Sequence, residues 1–124
     1  MPNTIIVSIV DDDDAVRAAT QTFVRSLGYK TVAFASAEDF LKSPELDTAD
    51  CLIADIHMLG MSGIDLQREL MHRRPALPII FITAFPEERV REQLMAAGAI
   101  GVLSKPYDGD TLIACIEKAL ARTA

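Results

Sequence analysis

The sequence predicts an α/β domain built on an open, doubly wound parallel sheet of five strands with helices on both faces. Three observations carry this. Four short apolar runs, Ile5 to Val10, Cys51 to Ala54, Pro78 to Ile82 and Ala99 to Leu103, lack polar alternation, as strands buried on both faces do. The stretches between them are long enough for the crossovers of about a dozen residues or more that parallel strands need. Those stretches also carry helical periodicity with start and stop signals.

Taken in order, Ile5 to Val10 is the first strand and stops at acids. Ala15 to Leu27 puts Val16, Ala19, Phe23, Val24 and Leu27 on one helical stripe behind aspartates suited to capping, and ends at Gly28. Lys30 to Ala35, β-branched and aromatic, is a strand nearer an edge. Ala37 to Lys42 is the shortest helix. After Cys51 to Ala54, Gly63 to Arg73 is a weakly patterned helix, as is Glu87 to Ala97 after the fourth strand, with Gly98 as a left-handed stop. Asp108 to Ala121 closes the domain with Leu112, Ile113, Ile116, Ala119 and Leu120 on a stripe, capped by Asp108 or Asp110.

The 124 residues fit one domain, 1–124, and 50% hydrophobic with 24% charged residues is a globular composition. Twelve basic against eighteen acidic residues give a net charge of −6, which offers no general attraction to phosphate backbones or anionic lipid. Direct contact with nucleic acid or membrane is therefore not expected. No apolar run approaches the roughly 18 residues of a membrane span, and the first run lacks a basic leader, so a cytoplasmic protein is expected. Cys51 and Cys115 lie in apolar patterns without histidines at metal spacing and read as reduced packing residues.

In an open parallel sheet, ligands bind beyond the carboxyl ends of the strands. Here the runs end at Asp11 and Asp12, at Asp55, at Thr83, and at Ser104 and Lys105. Three converging carboxylates repel by about 4 kcal/mol per pair at about 4 Å and an effective dielectric of about 20. Either one of them keeps a proton through a raised pKa or a cation occupies the cluster, and Mg2+ suits an all-oxygen site best. With Lys105 the charges then balance. A balanced cluster, open at the top and flanked by a hydroxyl, suits a phosphoryl group, with one carboxylate left to attack.

At these positions the chain resembles the response regulator receiver domain, the CheY-like phosphoacceptor of two-component signalling. The matching pieces are Val10-Asp11-Asp12, Asp55 with Met58 and Met61-Ser62-Gly63, Thr83-Ala84, Ala97-Gly98-Ala99 and Lys105-Pro106. The resemblance spans nearly the whole chain and implies strand order 2-1-3-4-5. It implies Asp55 as phosphoacceptor, Asp12 as a direct Mg2+ ligand, Asp11 as a ligand through water, and the His57 backbone carbonyl as a further ligand, with Mn2+ as a substitute ion. It also implies Thr83, with Ala84, as the switch hydroxyl, Lys105 as the phosphate-pairing ammonium, and Tyr107 as the mobile aromatic. The partners implied are a sensor histidine kinase, a DNA-binding effector domain or separate downstream protein, and a second copy on phosphorylation. The acidic run, Ser36 to Leu41 and the Met-Ser-Gly turn are closest to receivers of FixJ-like transcription regulators.

The chain departs from that pattern at Leu59 and Gly60, where proline and a small acid are usual, so a less constrained loop is expected. Phe85 and His57, two residues beyond Thr83 and Asp55, stand where the resemblance places control of phosphoryl lifetime; a bulky Phe85 screening water predicts slow self-dephosphorylation. Asp13 and Asp14 read as helix caps, His72 as a solvated helix end, the methionines as gap-fillers, and Tyr107 equally as core packing. Two rivals have distinct signatures. A phosphorylation-independent binding module fits Leu59 and Gly60 but not the intact acid set. A phosphohydrolase with Asp55 as nucleophile would need His57 as general acid and a cap domain.

Overall fold

The computed structural model describes residues 4–123. Five parallel strands, β1 (Ile6–Val10), β2 (Lys30–Phe34), β3 (Cys51–Asp55), β4 (Ile79–Thr83) and β5 (Gly101–Ser104), form one sheet in the order β2-β1-β3-β4-β5. Six helices connect and cover them: α1 (Asp14–Ser26), α2 (Ala37–Leu41), α3 (Glu45–Thr48), α4 (Gly63–Arg73), α5 (Glu88–Ala96) and α6 (Gly109–Thr123). The expected fold class and strand order are both present.

The sheet separates two cores. On one face Val7, Ile9, Cys51, Ile53, Ile80 and Ile82 pack against Val24 of α1 and Leu112, Ile116 and Ala119 of α6. On the other, Val10, Leu52, Ala54 and Phe81 meet Phe40 of α2, Leu46 of α3, Leu66 and Leu70 of α4, and Leu94 of α5. Because the central strands are covered on both sides, their interiors are apolar apart from the buried Ser8 of β1. Burial also explains both cysteines: Cys51 lies wholly inside, and desolvation pushes its thiol up to about 12, while Cys115 is also raised by desolvation. Both shifts disfavour the thiolate, the reactive form of the side chain.

Element ends follow from local hydrogen bonds. Asp13 caps α1, its carboxylate accepting from Ala15 N and Val16 N, so the helix begins at Asp14 and not Ala15. Asp108, rather than Asp110, caps α6 by accepting from Thr111 N at 3.1 Å. Gly28 and Gly98 take φ of +99° and +105° at the ends of α1 and α5, the left-handed stop predicted for each. The strand expected over Ala99 to Leu103 starts at Gly101 because the N–H of Ala99 still serves the carbonyl of Leu94 in α5. The short α3 was not legible, since four residues after Ser43-Pro44 carry no helical period and read as turn.

Gly63 is where α4 meets the sheet. A Cβ there would lie 2.8 Å from the carbonyl oxygen of Asp55 and 2.9 Å from Ile56 Cα, both backbone atoms that cannot swing aside. Gly63→Ala is expected to cost about 1–3 kcal/mol; an unchanged denaturation midpoint would mean that α4 backs away freely.

Candidate functional site

The pleat assembles the site. Side chains alternate across a strand, so two residues beyond Ile9 and Ile53, Asp11 and Asp55 leave the sheet on the α1/α6 side. The register pairing Val10 with Ala54 sets these two aspartates side by side. Lys105, two beyond Leu103, shares that side and places its Nζ 3.2 Å from Asp11 Oδ2 and 3.5 Å from Asp55 Oδ2. Asp12 is exposed above them, and carboxylate oxygens of Asp11, Asp12 and Asp55 all lie within 4.8 Å of one another.

This cluster is buried and overcharged. Asp11 and Asp55 are 3% and 5% exposed. The Asp55 pKa is raised above the ordinary carboxylate value, first by desolvation and then by the charge of Asp11; Lys105 and the N–H of His57 oppose the rise in part. Three carboxylates and one ammonium leave two negative charges, and the donors are all hard oxygens, so the residues present fit a small divalent cation such as Mg2+. Asp11 is fixed by its neighbours: Asp13 N donates to its Oδ1 at 2.9 Å, and Arg17 Nη1 donates to its backbone carbonyl at 2.8 Å. Arg17 is a site residue the sequence did not reveal, although its spacing from Asp14, with which it pairs, was visible.

Thr83 ends β4 on the opposite pleat. It is buried, and its Oγ1 accepts from Phe85 N at 3.0 Å. Beside it a cavity of about 360 Å3 runs under α5, lined in part by Ile56, His57, Val90 and Val102. Phe85 stands exposed at its rim with its ring edge-to-face on His57, centroids 5.7 Å apart. Ala84 is exposed in the same loop.

Tyr107 does not join this group. Its ring packs against Phe23 of α1 at 6.3 Å between centroids, and its hydroxyl donates to Thr20 Oγ1 at 3.1 Å, all on the α1/α6 side. The cavity next to Thr83 opens on the other core, where Val102 supplies the β5 side chain. An aromatic placed after Lys105-Pro106 leaves the sheet with Lys105's side of the fold, and position along the sequence gave no sign of this.

The loop between β3 and α4 also differs from its expectation. Gly60 does take a left-handed φ of +78°, but the loop is tethered: Leu59 N donates to Asp12 Oδ2 at 3.2 Å and Met61 N to Glu38 Oε2 at 3.3 Å. Lost proline stiffness is replaced by bonds to two carboxylates, both distant in sequence.

Comparison with known proteins places these features in a family. The sequence matches the response regulator receiver domain over residues 7–117. It is 37% identical to nodulation protein W of Bradyrhizobium diazoefficiens over 94% of this chain and 52% of that protein. It is 32% identical to the transcriptional regulatory protein FixJ of Azorhizobium caulinodans over the full chain and 59% of that protein. Among solved structures, the response regulator StyR superposes with a TM-score of 0.88 at 37% identity, over 96% of this chain and 60% of that one. The chain thus spans little more than half the length of these two curated relatives. A sheet in the order 2-1-3-4-5, an acid triad at its carboxyl edge and a match from Val7 onward through most of α6 agree, and the chain belongs to the response regulator receiver domain family of two-component systems.

Proposed function

We propose that Asp55 accepts a phosphoryl group from the phosphohistidine of a sensor histidine kinase. The observation that carries this reading is the buried Asp55 carboxylate, which shares the Lys105 ammonium with Asp11. A carboxylate oxygen of Asp55 attacks phosphorus in line, an O–P bond forms, the P–N bond to the donor imidazole breaks, and the electron pair leaves with that nitrogen. Asp11, Asp12 and Asp55, with the His57 carbonyl, would hold Mg2+, which supplies charge neutralisation at the phosphoryl oxygens when bound; Mn2+ fits the same donors. Lys105 pairs a phosphoryl oxygen from the side, and the acceptor passes from about −1 to about −2 in charge.

The new charge draws a hydrogen bond from Thr83, whose movement reaches α5 through the cavity beside Val90 and Val102. The α5–β5–α6 face is then the surface that a partner or second copy reads. Converting a 1:99 population to 99:1 takes about 5.5 kcal/mol, which a few charge-assisted hydrogen bonds supply. Tyr107, bonded to Thr20, needs no part in this path. The intact acid set favours this reading over a phosphorylation-independent binding module. Relatives described as transcriptional regulatory proteins support output through an effector domain or separate protein controlling transcription. Among the described residues, no helix is long and apolar enough to cross a membrane.

The test is Mg2+-dependent labelling by acetyl phosphate, followed as intact mass. Mg2+ at about a hundred times its Kd should also stabilise the fold by about 2.7 kcal/mol, with full reversal by chelator; neither labelling nor a shift would remove the acceptor reading. Phosphoryl lifetime is a further expectation. Phe85 over His57 shields the acyl phosphate from water, so decay is slow and Phe85→Ala shortens the half-life severalfold in a chase experiment. A half-life of seconds in the unsubstituted protein would refute the shield.

A further inference from the structure

We propose that Glu38, on α2 and outside the acid triad, is the positioning residue that holds the 57–61 loop in register for cation binding and phosphoryl transfer. The inference rests on the acceptor reading above and concerns how that site is kept in shape.

Three alternate N–H groups of this loop each donate to a different carboxylate. His57 N reaches Asp55 Oδ1 at 3.4 Å, Leu59 N reaches Asp12 Oδ2 at 3.2 Å, and Met61 N reaches Glu38 Oε2 at 3.3 Å. Asp55 and Asp12 are the groups that a cation and a phosphoryl group would claim, and their electron pairs cannot serve both without weakening the loop bonds. Glu38 belongs to neither role. Of the three tethers it is therefore the one that persists when the site is loaded, and it sits on a fixed platform. Ser36 caps α2 by accepting from Asp39 N, and Ala37, Phe40 and Leu41 on either side of Glu38 are buried in the core.

Two further observations single out Glu38. A Cβ on Gly60 would stand 2.6 Å from Glu38 Oε2, so glycine here provides both the left-handed φ and the room for the carboxylate to approach the chain. The other oxygen, Oε1, is buried without a hydrogen-bond partner. A desolvated, unpaired carboxylate oxygen opposes folding. A residue retained only for stability would not be expected to leave it so; one retained to hold a functional loop is consistent with that cost.

The stability and function of Glu38 variants should therefore part company. With the full chain, Glu38→Ala is expected to weaken Mg2+ binding about tenfold by calorimetry, the scale seen for outer-sphere partners of metal ligands. It should slow acetyl phosphate labelling at subsaturating Mg2+, with near-normal labelling at saturation, while the melting temperature in chelator stays level or rises. Glu38→Gln, whose amide oxygen still accepts from Met61 N, should recover most of the Mg2+ affinity. An Ala variant with unchanged affinity and labelling overturns the proposal, as does one whose losses track a lowered melting temperature in chelator and are not rescued by Gln. If the unsubstituted protein neither binds Mg2+ nor takes label, the acceptor reading itself fails and this inference falls with it; normal loading of the unsubstituted protein with an indifferent Ala variant sinks the Glu38 role alone.

Discussion

Asp55→Asn should take no label from acetyl phosphate and, in chelator at neutral pH, should melt higher than the unsubstituted protein. The first effect is chemical: an amide offers no anionic oxygen to phosphorus, so labelling falls to background while the side chain keeps its shape. The second follows from electrostatics. Asp55 is buried beside Asp11, and its pKa is raised by desolvation and by that neighbouring charge. A carboxyl group whose folded-state pKa exceeds its unfolded value contributes stability that is complete below the unfolded pKa and disappears as pH climbs through the folded one. At neutral pH the native state therefore carries an ionised group it disfavours, and Asn removes it. The gain is read as a rise in Tm, each kcal/mol being worth about 3–5 °C in a chain of this size. The gap should shrink as the pH is lowered through the raised folded-state pKa and close below about 3, where Asp55 is protonated in both states. Mg2+ should reverse the ranking, because the Asn variant has lost one of three carboxylates that would hold the ion. Retained labelling, or a variant that melts lower in chelator at every pH, would contradict the placement of Asp55 as a buried, repelled nucleophile.

Lys105→Ala is expected to be the most destabilising single change at the site. Its ammonium stands 3.2 Å and 3.5 Å from Asp11 and Asp55, with the side chain 16% exposed. Truncation leaves the acid cluster without its cation, a loss of about 1–3 kcal/mol after allowance for partial solvent access. The deficit should be greatest in chelator and largely repaired by Mg2+, giving a steeper dependence of Tm on the ion than in the unsubstituted protein. With Mg2+ the variant should still accept phosphate, but the link from the phosphoryl group to the α5–β5–α6 face should weaken. Analytical centrifugation with and without beryllofluoride, or a partner-binding assay, reads that link. Equal melting in chelator would show that Lys105 carries no charge balance, and an undiminished response to beryllofluoride that it carries no signal.

Much of this was legible in the residues before the fold was known. Apolar runs fix where strands lie, and a parallel sheet sends their ends to one edge, so Asp11, Asp55, Thr83 and Lys105 could be grouped without knowing a single distance. Caps were equally legible, since Asp13, Asp108 and the glycines at 28 and 98 act through neighbours within a few residues. What escaped depends on long-range contact. Glu38 looks like an ordinary surface acid in a short helix, and its bond to Met61 spans 23 residues. Tyr107 read equally as the mobile aromatic of the resemblance and as core packing, and what the residues could not tell is its neighbours, Phe23 and Thr20 on α1, more than eighty residues away. Val102 was read as one apolar residue in a strand; that it leaves open space next to Thr83 is a property of α5's position above it.

The alternation of side chains across the central strands has a consequence for how such a protein can change over generations. Asp11, Asp55 and Lys105 rise from the pleat that faces α1 and α6, while Thr83 belongs to the pleat that faces α4 and α5. On the proposed reading, the acids that receive the phosphoryl group and the hydroxyl that senses it stand on opposite pleats of one sheet, so the signal crosses the sheet before it reaches the α5–β5–α6 face. Substitutions under α5 would then alter what is reported while leaving Asp11, Asp55 and Lys105 untouched on the far pleat, so output could drift without loss of the acceptor chemistry.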